Sequence, residues 1–174
     1  MIETARLRLR VPDPRDFDAL HAMWSDPLVM RDLGPEKTPA QSRAALARHQ
    51  GYRDRCGLGF WVAERRDDGL LAGFCGLKPG APGTPIEGEV EIGWMFVRSC
   101  WGQGFAQEAA RAGLTWGWQK TDAARIVAIT AQSNLASRKL MARLGMTQFT
   151  EFDHPGFPTG STWRESVGYQ IRRP

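Results

Sequence analysis

Between Glu89 and Ala110 the sequence reads as a strand, a loop containing Gly102 and Gly104, and a helix that starts at once. Glycine lets a backbone expose several N–H groups and admits a ligand closely. The first helical turn adds unsatisfied donors and the positive end of the helix dipole. Together they form a cradle for phosphate or pyrophosphate. On the pattern alone, a tight loop that binds nothing is the alternative. Two phosphate motifs are excluded. A P-loop requires Lys after its second glycine, and none follows here. A dinucleotide fingerprint requires a small residue three positions after Gly104, where Gln107 stands. Asp122 lies at a suitable distance for ribose binding, but the unit sits mid-chain after a hairpin.

The rest of the chain supplies the elements around this unit. Arg6, Arg8 and Arg10 alternate with Leu7, Leu9 and Val11, the period of a strand with one buried face. A helix with an apolar stripe of Phe17, Leu20 and Trp24 follows, capped by Asp13 or Asp16 and stopped at Asp26-Pro27. Thr38-Pro39 opens a second helix, to about Arg55. Gly59–Arg65 and Leu70–Lys78 read as strands joined by the turn signal Asp67-Asp68-Gly69. After the Pro- and Gly-rich loop Pro79–Gly88 come a strand from Glu89 to Val97 and a helix to about Gln119. A strand at Arg125–Thr130, a helix at Asn134–Leu144 closed by Gly145, and strands at Thr147–Phe152 and Glu165–Arg172 complete the chain. The order β-α-α-β-β-β-α-β-α-β-β is a mixed α/β (α+β) arrangement with about four helices. Its 174 residues fit one domain spanning 1–174.

Composition removes other classes. A net charge of +4 invites nucleic acid, but nineteen of the 23 bases are Arg spread along the whole chain rather than gathered on one face. The dense run at Arg6, Arg8 and Arg10 reads as a solvated strand face, and an acidic small ligand accounts for the charge as well as nucleic acid does. Cys56, Cys75 and Cys100 are odd in number and lack CxxC spacing, so neither a disulfide scaffold nor a cysteine zinc site is expected. No apolar run approaches the roughly 20 residues of a membrane span, and no apolar segment follows Met1. The expectation is a soluble cytoplasmic protein with no nucleic-acid, membrane or metal partner.

Four segments, in order, resemble the GNAT superfamily of N-acetyltransferases over nearly the whole chain. Trp101-Gly102-Gln103-Gly104-Phe105-Ala106 is similar to the family's acyl-CoA loop, departing from it by Trp at the first position. Asn134-Leu135-Ala136-Ser137 through Leu144-Gly145-Met146 resembles the segment flanking the CoA arm. Thr4-Ala5-Arg6-Leu7-Arg8-Leu9-Arg10 and Glu91-Ile92-Gly93-Trp94 are similar to the branch of the ribosomal-protein alanine acetyltransferases. The resemblance implies a central, mostly antiparallel sheet with a splayed strand pair. It also implies acetyl-CoA as co-substrate, an amine acceptor (a small molecule or a peptide N-terminus) and, at the level of the family, a homodimer. Gly102–Ala106 would hold the pyrophosphate through backbone N–H groups. The backbone of Met95, Phe96 and Val97 would bind the pantetheine arm, with Asn134 and Ser137 on its other side. Arg98, Arg138 and Lys139 would meet the outer phosphates or remain ordinary exposed bases. Asn134 is equally a plain helix N-cap.

Acetyl transfer to an amine needs a base for the ammonium, a stabilised oxyanion and a proton for the thiolate. Glu87, Glu89 and Glu91 alternate on the strand entering the loop; the resemblance, which implies a catalytic glutamate before an apolar residue here, makes Glu91 the first choice of base and Glu89 the second, with a solvated acidic face as the alternative. The family's usual acid, a tyrosine, is replaced by Met141, and Ser137 is the nearest hydroxyl in sequence. His154 on the late loop is open between a base, an acceptor ligand and a structural histidine. His21 is read as a helix-packing residue and Cys100 as structural. Arg31–Pro39 and Asp153–Trp163 are expected to frame the acceptor pocket. Met141 and Trp101 keep a second function in view, a CoA-binding sensor without catalysis.

Overall fold

The computed structural model describes residues 1–174, and a single parallel strand pair organises it. The strands are β1 (Ile2–Glu3), β2 (Leu7–Arg10), β3 (Gly59–Arg65), β4 (Leu71–Pro79), β5 (Val90–Phe96), β6 (Arg125–Ala131), β7 (Thr147–Asp153) and β8 (Glu165–Arg172). They form one sheet in the order β1-β2-β3-β4-β5-β6-β8-β7. Every neighbouring pair is antiparallel except β5–β6. A parallel pair needs a crossover, and the helix after the glycine loop, α4 (Phe105–Lys120), supplies it. The β5–β6 ladder holds only at Val90↔Ile126 and Glu91↔Val127. Beyond Glu91 the two strands part, and this split is the expected splayed pair.

Four more helices complete the structure: α1 (Phe17–Trp24), α2 (Pro27–Met30), α3 (Pro39–Cys56) and α5 (Leu135–Arg143). The count is five rather than four. Asp26-Pro27 does end α1, but the same residues start α2: the Asp26 carboxylate accepts from the Leu28 N–H, and Pro27 occupies the first turn. Two-residue β1 is too short to leave a pattern. Thr38 and Gln41 cap α3 reciprocally, and Gly57, in the left-handed region at φ 73°, ends it.

Both sheet faces are covered. On one, Leu20, Trp24 and Val29 from α1 and α2 and Ala45 from α3 pack on Phe60, Val62 and Phe74. On the other, Ala110 and Leu114 from α4 and Met141 from α5 pack on Leu77, Ile92 and Ile126. Gly117 brings α4 close to the sheet: a Cβ there would lie 2.7 Å from Leu77 Cδ1. The opening arginines are not a free solvated face. Arg10 bonds Asp16 at 2.7 Å and Glu64 at 2.8 Å, and Arg8 reaches Glu64 at 3.1 Å.

Candidate active site

Two cavities open onto the split between β5 and β6, and they share a wall. The first, a groove, is bordered by the glycine loop, the start of α4 and one face of α5, with Leu28 and Val29 of α2 opposite. The second is a pocket on the α1–α3 side, lined by residues of α3, β4 and β5 and the late loop. Asp32, Leu33, Trp94, Met95 and Ser137 line both, so a molecule lying in the groove can meet one held in the pocket.

The loop is built to take an anion. Gly102 (φ 73°) and Gly104 (φ 82°) both adopt left-handed backbone, which a side chain would strain. The amide N–H groups from Gly102 through Gln107 make no hydrogen bond within the chain. Six consecutive free donors at a helix start fit a pyrophosphate. Arg6 fixes the loop from behind. Its guanidinium donates to the Gln103 carbonyl at 2.8 Å and to Glu108 at 2.7 Å, and it lies 4.4 Å from the centre of the Phe105 ring. Glu108 also accepts from the Thr4 hydroxyl and the Arg6 N–H, which lowers its carboxyl below the usual range against the opposing effect of burial.

The expected cofactor residues separate under this geometry. Trp101, Gly102, Gly104, Phe105, Ala106, Asn134 and Ser137 line the groove, as do Met95 and Phe96. The Gln103 side chain turns away to the Ser99 carbonyl, leaving only its backbone N–H in the cradle. The backbone of Met95 and Val97 does not face the split. The Val97 N–H donates to the Ala72 carbonyl, and strand alternation gives Met95 to β4 as well. Trp94 and Phe96 are the residues whose peptide groups point into the gap, and the Phe96 carbonyl already accepts from the Trp101 indole at 2.8 Å. Asn134 caps α5 through the Ser137 N–H. Arg138 is not brought to the groove: it donates to Tyr169 and the Gln132 carbonyl. Arg98 pairs with Asp26, whereas Lys139 and Arg143 line the groove.

The three acidic residues also separate. Glu91 lies in the pocket wall, only 5 % exposed, paired with Lys78, its cross-strand neighbour. Burial pushes its carboxyl above the ordinary range while the Lys78 ammonium opposes that rise. Glu89 is held outside the pocket by Arg125 at 2.7 Å, and Glu87 accepts from the Gly83 N–H. The acidic stripe is therefore not a shared site: Glu87 is exposed, Glu89 is partly so, and only Glu91 enters the pocket wall.

His154 does line the pocket, its Nδ1 accepting from the Gly156 N–H and its ring tilted against Phe157. Burial lowers its pKa. His21 packs on Phe17 and bonds Ser42. Cys100 is buried at the groove wall. Asp32, Leu33 and Lys37, with His154, Phe157 and Trp163, place both expected framing segments around the pocket. Trp163 donates to the Arg31 carbonyl at 2.7 Å, tying the two segments together.

Sequence reasoning missed Lys78, His49 and Arg48 in the pocket lining, and gave Lys37 no role beyond its place in the framing segment. Buried His49 packs tilted against Phe60, ring centres 4.5 Å apart, and its Nδ1 accepts from the Phe60 N–H. Burial pushes its pKa down to about 3. The spacing Ser42, Ala45, His49 was its only signal, a buried stripe on α3. Lys78 was hidden because the ten residues from Gly80 to Glu89 conceal the strand register.

A groove with an N–H cradle, a split parallel pair and an adjoining pocket define a transferase of two substrates, and comparison agrees. Residues 6–147 match the acetyltransferase (GNAT) domain, and the chain belongs to that family. Among curated relatives, the uncharacterized protein YkkB of Bacillus subtilis is 35 % identical over 146 residues, covering 82 % of this chain and 83 % of its own. The uncharacterized N-acetyltransferase YnaD of the same organism is 29 % identical over 98 % of this chain and 95 % of its own. A GNAT-family acetyltransferase structure from Bacillus anthracis superposes with a TM-score of 0.80 at 26 % identity, covering 98 % of this chain and 97 % of that one. The protein is an acetyltransferase. No helix is long and apolar enough to cross a membrane, and no cluster of metal-ligating side chains is present.

Proposed function

We propose that this protein moves the acetyl group of acetyl-CoA to a primary amine by direct attack in a ternary complex. The observation that carries the proposal is the wall common to groove and pocket at the β5–β6 split. It supports a meeting of two substrates without an acyl-enzyme. Buried Cys100 has no histidine among its hydrogen-bond partners to activate it.

Acetyl-CoA, when bound, supplies the activated acyl group and a thiolate leaving group. The six amides from Gly102 to Gln107 hold its pyrophosphate, and Lys139 and Arg143 take the outer phosphates. Peptide groups of Trp94 and Phe96 orient the arm. Glu91, whose burial makes it a stronger base than a surface carboxylate, accepts the ammonium proton directly or through water. Lys78 keeps that carboxylate ionised and positioned. Ser137, half-buried where groove and pocket meet, is the hydroxyl placed to relay a proton to the thiolate.

Two measurements on one sample test this reading. Acetyl-CoA should raise the melting temperature, and the shift should exceed that given by NAD or ATP. Free CoA should then appear only when an amine acceptor is added. A protein that CoA stabilises but that releases no CoA with any amine is the non-catalytic sensor instead.

A further inference from the structure

We propose that the acceptor amine carries its own anionic group, a carboxylate above all, and that Lys37 and Arg48 receive it. The inference rests on the acetyl-transfer reading and names the substrate class of the same pocket. Three cations, Lys37, Arg48 and Lys78, line it against two carboxylates, Asp32 and Glu91. Both carboxylates are engaged within the chain. Glu91 pairs with Lys78, and Asp32 pairs with Arg31 at 3.1 Å while accepting from Ser133. Cations therefore outnumber carboxylates in the lining, and a diamine or polyamine would have to compete with Arg31 for Asp32.

The cations are in the opposite state. Lys37 and Arg48 form no ion pair in the chain. Lys37 is fixed just before α3 by its N–H, which donates to the Trp24 carbonyl. Arg48, exposed on α3 beside the buried stripe of Ala45 and His49, lines the pocket at its rim. Burial and the nearby Arg48 both lower the Lys37 ammonium pKa, so half-buried Lys37 and rim-placed Arg48 are two like charges without an ion-pair partner in the chain. An anion bound between them relieves both effects and makes charge-assisted hydrogen bonds. The cavity volume of about 270 Å³ suits a small molecule. An α-amino acid fits this layout, its amine toward Glu91 and its carboxylate toward Lys37 and Arg48.

The test is an acceptor panel with acetyl-CoA, following free CoA. It holds the standard amino acids, each beside its α-amide, with 1-aminoethylphosphonate, spermidine and a blocked-carboxyl tripeptide. At least one amino acid should exceed its amide by about 10-fold or more in kcat/KM. In Lys37→Ala/Arg48→Ala the KM for that acid should rise about 10- to 100-fold, the worth of one or two charge-assisted bonds. KM for acetyl-CoA and for the amide should stay within about twofold. Arg48→Gln, a change at an exposed position, should give a smaller rise of the same kind and guards against misfolding of the double variant. Preference for the phosphonate keeps the anion but replaces the carboxylate. Equal turnover of acids and amides, a preference for spermidine or the tripeptide, or an unchanged KM in the variants overturns the inference while leaving acetyl transfer in place. Absence of CoA release with every acceptor overturns acetyl transfer. Stabilisation of CoA-bound wild type, but not of the double variant, by an amino acid then still supports the anion site, and equal shifts overturn it.

Discussion

Glu91 stands where two opposed effects meet. Burial disfavours its charge and Lys78 favours it, with burial the larger. If it takes the acceptor's proton, Glu91→Gln should preserve CoA affinity and lower turnover by about 10²–10⁴-fold, the usual worth of general acid–base help. The deficit should be greatest at low pH and shrink as pH approaches the pKa of the acceptor amine, where free amine needs no base. Unaltered turnover in steady-state assays from pH 6 to 9 would remove Glu91 from the reaction. In the sequence, Glu91 is singled out by the family resemblance, which places a catalytic glutamate before an apolar residue at this point of the strand. Periodicity alone could not separate it from Glu89, since both fall on one pleat. The deciding contacts, Arg125 on Glu89 and Lys78 on Glu91, come from other strands.

At the scale of elements, the strand–loop–helix unit was legible because glycine positions and a helix start are local signals. Its support was not. Arg6 looked like one of three solvated arginines, yet it grips Gln103 and Glu108 about a hundred positions away. Likewise, the family pattern pointed to Met95 and Val97 for backbone contacts, whereas only the β4–β5 register shows Trp94 and Phe96 facing the split. The loop's function depends on left-handed backbone at Gly104, which no β-branched residue adopts without strain. Gly104→Val should therefore abolish CoA binding while far-UV circular dichroism stays like wild type. Space is not the obstacle, as the nearest atom to an added Cβ is the end of the Arg6 side chain at 3.4 Å. Normal CoA affinity in a folded Gly104→Val protein, measured by calorimetry, would place the phosphate cradle elsewhere.

At the scale of the whole molecule, His49 ties the α1–α3 layer to the sheet and makes stability depend on pH. It is buried against Phe60 and Phe74, and its pKa falls to about 3 from an ordinary 6.5. The folded protein keeps the ring neutral in this interval, while the unfolded chain protonates it. Its contribution to stability is thus complete above pH 6.5 and is lost as pH falls toward 3, at about 1.4 kcal/mol per pH unit. His154, also lowered, acts in the same direction. Glu91, raised by burial, acts in the opposite one, because the folded state holds its proton more tightly. His49→Asn keeps an acceptor for the Phe60 N–H; the lost ring packing lowers stability at every pH, so only the removed titration changes the slope with pH. Urea unfolding should show wild type losing about 2 kcal/mol more than His49→Asn between pH 6.5 and 5. That window lies above the range in which Asp16, Glu64 and Glu108, all lowered, take up protons. Parallel stability curves for the two proteins would mean that His49 takes up its proton as readily in the folded state as in the unfolded one. The acetyl-transfer pocket would then carry another cation, and its preference for an anionic acceptor would steepen as pH falls.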